Sequence, residues 1–138
     1  ARHSWNQQEI QRVLFPTVNG ELLYDFENQL PAHRTVITGT YYYNETWEGL
    51  VRLNRYGDWE DLTFGELGTF DGKWLVDAEV SANIGNNYRV SIGAENLFNT
   101  YPDDETNSTL RFLGATRPIS SPFGFNGGFW YARLGVDF

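Results

Sequence analysis

From Trp130 to the last residue every even position is apolar: Trp130, Ala132, Leu134, Val136 and Phe138. Tyr131, Arg133, Gly135 and Asp137 lie between them. Strict period two describes a strand with one apolar and one polar face. A chain end usually frays, so an alternating strand that stops on an aromatic residue gives that residue a use.

The same period recurs upstream. The pattern predicts strands over about 33–44, 47–56, 73–84, 88–98 and 128–138. Asn44-Glu-Thr46 and Gly85-Asn-Asn87 are short turn sequences, with Asn87 suited to a left-handed conformation. A three-residue turn at Asn44 pairs Tyr41 with Gly49, Gly39 with Val51 and Ile37 with Leu53. One at Gly85 pairs Ile84 with Tyr88. Both registers put the apolar rows on one side, as a consistent register must. Residues 57–72 and 99–127 read as long acidic, glycine-punctuated loops. Residues 1–32 read as a further loop with two short helices: one capped at Ser4-Trp-Asn-Gln7 with Ile10, Val13 and Leu14 at helical spacing, and one over 19–27.

The expected fold is therefore all-β and antiparallel, with short turns at one end and long loops at the other. That segregation is the habit of bacterial outer-membrane barrels. Trp47, Tyr43, Tyr88 and Phe138 fall at the short-turn end, and Trp74 and Trp130 at the long-loop end, as aromatic girdles do. Alternation alone leaves open a soluble, secreted antiparallel β-sheet binding module, in which the apolar face is the core. Five strands cannot close a barrel, and an open edge in lipid leaves backbone groups unpaired. The barrel reading thus makes these strands part of a larger wall, incomplete on its own. Ala1-Arg-His-Ser-Trp5 carries no apolar stretch of the signal-peptide kind.

Composition narrows the chemistry. A net charge of −8 argues against nucleic acid. The chain has no cysteine, hence no disulfide and no thiolate. His3 and His33 lack ligand spacing, so no metal site is expected. Asp58-Trp-Glu-Asp61 and Asp103-Asp-Glu105 read as solvated loop charge rather than calcium ligands. The Asn44 and Asn107 sequons read as chance in a bacterial outer membrane.

Several stretches together resemble the carboxy-terminal part of TonB-dependent outer-membrane receptors. Gly93-Ala-Glu-Asn-Leu-Phe-Asn-Thr-Tyr-Pro102 is similar to the signature of that family's penultimate strand. Asn28-Gln-Leu-Pro-Ala-His-Arg34, Val51-Arg-Leu-Asn-Arg-Tyr-Gly57, Leu75-Val-Asp-Ala-Glu79 and Ser121-Pro-Phe-Gly-Phe-Asn-Gly-Gly128 resemble its other strand signatures, in the family's order. The resemblance covers about residues 28–138 and the terminal Phe138.

It implies the last five strands of a transmembrane barrel of about 22 strands in a Gram-negative outer membrane. The long loops are then extracellular. The implied partners are the plug and remaining strands of the same receptor, the TonB complex reached through that plug, the barrel-assembly machine, outer-membrane lipid, and a scarce small-molecule nutrient. The nutrient classes include ferric siderophores, cobalamin, haem, sugars and metals. The family implies transport, with no catalytic residues and no cofactor.

On that reading Glu48, Arg52, Asp77, Glu79, Arg89, Glu95 and Arg133 form a charge ladder on the lumen side. Asp77 stands opposite Glu95, and a staggered register puts Arg52 opposite Glu79. A catalytic carboxylate pair is the competing reading of Asp77 and Glu95, and a mutually neutralised lumen wall is preferred. Candidate substrate contacts are Arg52 and the loop aromatics Trp5, Trp59, Phe64, Phe70, Tyr101, Phe112, Phe123 and Phe125, which suit flat chelates and sugar rings. Packing loops against one another is their other role. Trp130, Leu134, Val136 and Phe138 are expected to form the assembly signal.

Overall fold

A computed structural model of the chain describes residues 1–12, 19–85 and 87–136. Six strands form one antiparallel sheet, in the order β1 (Arg2–Trp5), β2 (His33–Tyr42), β3 (Trp47–Tyr56), β6 (Trp74–Ile84), β7 (Tyr88–Glu95) and β8 (Phe129–Val136). A separate hairpin of β4 (Trp59–Thr63) and β5 (Glu66–Phe70) stands between β3 and β6. Among the described residues there are two helices, α1 (Gly20–Asn28) and the short α2 (Ser108–Phe112).

Local chemistry explains the turns and caps. At the β2–β3 turn the Asn44 carboxamide oxygen accepts from the backbone N–H of Thr46 and of Trp47, at 2.8 and 2.9 Å. At the β6–β7 turn Gly85 has φ +62° and supplies a left-handed position. Asn19 caps α1 by accepting from Glu21 N–H, and Asn107 caps α2 by accepting from Leu110 N–H.

Several sequence expectations are corrected. Arg2–Trp5 is a strand paired with β2, so Ser4 and Trp5 do not open a helix; the edge of β2 offers that segment a full ladder of partners. Val13 and Leu14, the rest of that expected helix, lie outside the described residues. Residues 57–72 are not one irregular loop but carry the β4–β5 hairpin, because Phe64 and Gly65 take positive φ and turn the chain tightly. Among the described residues the strands therefore number eight, of which six share a sheet.

The registers of β2–β3 and β6–β7 pair Ile37 with Leu53, Gly39 with Val51, Tyr41 with Gly49, and Ile84 with Tyr88. Between β3 and β6 the register pairs Arg52 with Asp77 and Leu50 with Glu79. The expected Arg52–Glu79 pairing is thus off by two residues. Sequence carries no information about that stagger, because the hairpin between the strands frees their ends.

One face of the sheet carries Thr35, Ile37, Val51, Leu53, Val76, Val80, Ile84, Tyr88, Ile92, Trp130 and Leu134. The opposite face carries Glu48, Arg52, Asp77, Glu79, Ser81, Arg89, Ser91, Tyr131 and Arg133. The covered face is the polar one. Ser81 and Ser91 are each 3% exposed, whereas Ile92, Leu134 and Trp130 on the apolar face are 59%, 64% and 66% exposed.

The apolar core sits in the loops instead. Trp59 and Phe70 are buried and stack at 5.3 Å, and Phe123 meets Trp59 edge-on at 5.8 Å. Phe123 also packs on Tyr56 at the end of β3, which anchors the core to the long-loop end of the sheet.

Candidate functional site

Hydrogen bonds tie the strands of the polar face together in separate clusters. Arg89 on β7 reaches across β6 to Glu48 on β3 at 2.6 Å. Tyr131 on β8 donates to Glu79 on β6 at 2.6 Å, and Arg133 stands 3.7 Å from the same carboxylate. The Ser81 and Ser91 hydroxyls bond each other at 2.7 Å, and Ser81 also donates to Glu79 at 3.1 Å. These bonds leave the serines buried without an orphaned polar atom.

Asp77 is held by neutral donors. One carboxylate oxygen accepts from the Asn54 carboxamide at 2.8 Å and the other from Asn96 N–H at 2.9 Å. Arg52, directly opposite on β3, makes no ion pair among the described residues. Glu95 likewise makes none there. The seven charged residues of the expected ladder do share one face, but the network joins only Arg89 to Glu48 and Arg133 to Glu79 as ion pairs. Sequence reading missed Tyr131, Ser81, Ser91 and Asn54. Each sits at a polar position of the alternation, so parity places them on the face but not in a network.

Asn96-Leu-Phe-Asn99 ends β7 and ties three strands together. Asn96 and Asn99 adopt φ +50° and +56°, where asparagine is among the few tolerated side chains. Asn96 both donates to Thr100 C=O and accepts from Thr100 N–H, at 2.7 and 2.8 Å. Leu97 N–H bonds Val76 C=O at 2.7 Å, and Asn99 accepts from Gly128 N–H at 2.8 Å just before β8. A Cβ on Gly127, at φ +74°, would stand 2.5 Å from the Tyr101 hydroxyl, so this crossing requires glycine.

At the long-loop end the hairpin joins the other loops. Asp25 on α1 accepts from Leu62 N–H at 2.7 Å, Glu21 from Gly65 N–H at 2.6 Å, and Glu60 from the Tyr24 hydroxyl. On the other side Glu66 accepts from Ser108 N–H at 2.7 Å and from its hydroxyl, while Asn107 donates to Thr63 C=O. Lys73 bonds Asp103 at 2.5 Å.

Burial, with Asp61 and Glu21 nearby, pushes the Asp25 carboxyl up despite its bond from Leu62. Asp103 lies below its ordinary value: burial acts to raise it, but Lys73, the Asp71 amide and Arg117 together outweigh that. The Ser108 bonds hold Glu66 low. The hydrogen bond to Glu60 holds the Tyr24 phenol up.

Between residues 6–8, the end of α1 and the hairpin lies a cleft of about 590 Å³, lined by Asn6, Gln7, Glu27, Asp58, Glu60 and Asp71 among others. Trp59 and Phe70 also line it, yet both are 2% exposed. Trp59 therefore packs the loop core and offers no ring to a ligand.

The other expected contacts are scattered. Trp5 pairs with His33 and so lies on the apolar face at the long-loop end, alongside Trp74 and Trp130 rather than in a loop. Phe64 projects from the hairpin turn and Phe112 from the end of α2, both exposed. The Tyr101 ring lies under the Arg117 guanidinium. Phe125 is half exposed near the start of β8. His3 and His33, far apart in sequence, stack at 5.5 Å, but no group of three or more potential metal ligands occurs among the described residues. Trp130, Leu134 and Val136 share the apolar face of β8; Phe138 lies outside the described residues.

No protein-family model matches the sequence, and neither a curated protein nor a solved structure is significantly similar to it.

Proposed function

We propose that this chain forms part of the wall of a TonB-dependent outer-membrane transporter for a scarce nutrient, with its apolar face in lipid, its polar face toward the lumen and its long loops outside the cell. The observation that carries this reading is the inverted burial of the sheet. Large apolar side chains stand bare across β3, β6, β7 and β8, while the polar face is hydrogen-bonded across four strands. In water each such apolar side chain forgoes about 1.5–3 kcal/mol of burial. In a bilayer the same face needs no protein cover, and backbone pairing satisfies the inner strands of the sheet, leaving its two edges to be met by further strands.

The positions of the aromatics support the same orientation. Tyr41, Tyr43, Trp47 and Tyr88 are exposed at the short-turn end, and Trp5, Trp74 and Trp130 at the long-loop end. Two such bands suit the two interfaces of a membrane. The outer edges of β1 and β8, unpaired among the described residues, suit pairing with further strands of the same wall.

The test is expression of the full receptor containing this sequence, followed by membrane fractionation and unheated gel electrophoresis. Recovery in the outer membrane as a heat-modifiable band is the expected result. A folded, monodisperse 16-kDa monomer of this chain in detergent-free buffer, binding ligand as a soluble module, refutes it.

A further inference from the structure

We infer that Arg34 and Arg52 form a binding subsite for a small aromatic carboxylate on the polar face, an assignment that rests on the lumen reading above. Both side chains line one cavity of about 260 Å³ at the long-loop end of that face, together with Tyr56, Phe123 and Phe129. Two features leave these guanidinium groups available. The Asp77 carboxylate, which the register places opposite Arg52, already has both oxygens engaged by Asn54 and Asn96. Arg34 holds its guanidinium carbon 4.7 Å over the centroid of the Tyr56 ring, a contact that consumes none of its N–H donors.

The other arginines of the β7–β8 half behave differently: Arg89 is committed to Glu48, and Arg133 stands against Glu79. Unpaired guanidinium groups with planar donor forks match a carboxylate. The aromatic side chains of the cavity match a flat ring. Glu95 also lines the cavity and has no ion pair among the described residues, so it suits a hydroxyl donor on the far side of the ligand. A chain of net charge −8 thus presents two cations that make no ion pair among the described residues, where its aromatic loop core meets the polar face.

The experiment is calorimetric titration of the full receptor in detergent with 4-hydroxybenzoate, and with 4-hydroxybenzamide as its neutral counterpart. Binding of the carboxylate and at least tenfold weaker binding of the amide are expected. R52Q and the R34Q/R52Q pair are expected to weaken the carboxylate at least tenfold, with the amide unaffected and with R111Q, on α2 and outside this cavity, unchanged. Equal binding of the two compounds, no binding of the carboxylate, or an unaltered R34Q/R52Q variant overturns the subsite. Each sample is also run unheated on a gel. A heat-modifiable barrel without carboxylate discrimination refutes the subsite alone; absence of any barrel refutes the wall reading and the subsite with it.

Discussion

Tyr131 on β8 bonds Glu79 on β6 by lying across Gly93 on the strand between them. A Cβ on Gly93 would stand 2.5 Å from the tyrosine ring. The glycine is therefore the floor over which β8 reaches a strand it does not pair with. Ring cover of a cross-strand glycine also restores packing that the glycine lacks.

Gly93→Ala should displace the ring and cost about 1–3 kcal/mol through overpacking. Tyr131→Phe should cost about 1.5–3 kcal/mol by removing a bond to a charged group. In the double variant the two losses should fall short of additive, because each removes the same contact. Urea unfolding of the folded protein reads all three. Full additivity shows that Tyr131 and Gly93 act separately.

Asn96 combines a left-handed backbone with two side-chain bonds to Thr100. Asn96→Gly keeps the conformation and loses the bonds, while Asn96→Ala loses both. Alanine should therefore be the worse by about 1 kcal/mol or more, the ordinary cost of a left-handed non-glycine residue. The folded fraction recovered after refolding gives the ranking, and equal yields for the two variants discount the backbone term.

These two sites mark how far the sequence is legible. Alternation places Tyr131 and Gly93 on one face, and a hairpin register with a three-residue turn aligns β6 with β7 residue by residue. The Asn96–Asn99 stretch stands out because left-handed backbone and side-chain bonding to the chain both favour asparagine. The stagger of β3 against β6 is invisible, since the hairpin between them decouples the strands; hence Arg52 meets Asp77. The pairing of Arg2–Trp5 is equally hidden. Four residues give too little period to outweigh a helix-capping signal, and only the waiting edge of β2 decides. Trp59 shows the limit for ligand contacts: a loop aromatic reads the same in sequence whether it faces a ligand or packs another loop.

The loop carboxylates give opposite responses to pH. Asp103 has a depressed pKa in the folded state. Its contribution is present above the unfolded value of about 3.9 and is lost as pH falls through the lower folded one. Asp25 is raised, first by burial. Its contribution is full below that unfolded value and is lost as pH climbs through the folded one. Asp25→Asn keeps an oxygen for Leu62 N–H but cannot ionise. At pH 7 the variant should protect the Leu62 amide from hydrogen exchange better than the parent, after correction for intrinsic rates, and the advantage should vanish toward pH 4. Poorer protection at pH 7 shows that the charge itself holds the hairpin.

The two faces of the sheet provide the sharpest contrast. Ile92 and Ser91 are neighbours on β7 pointing to opposite sides, the first exposed and the second buried. If the apolar face meets lipid, Ile92→Arg should cost about 2–4 kcal/mol near the bilayer midplane. Leu134→Arg, on the same face of β8, should do likewise. The loss should appear as reduced insertion into vesicles, with thicker bilayers the more affected. Ser91→Ala removes the Ser81 bond but adds no charge to lipid, so its loss of about 1 kcal/mol should not vary with bilayer thickness. If both arginine variants insert as well as the parent at every thickness, lipid does not cover this face, and a protein partner must.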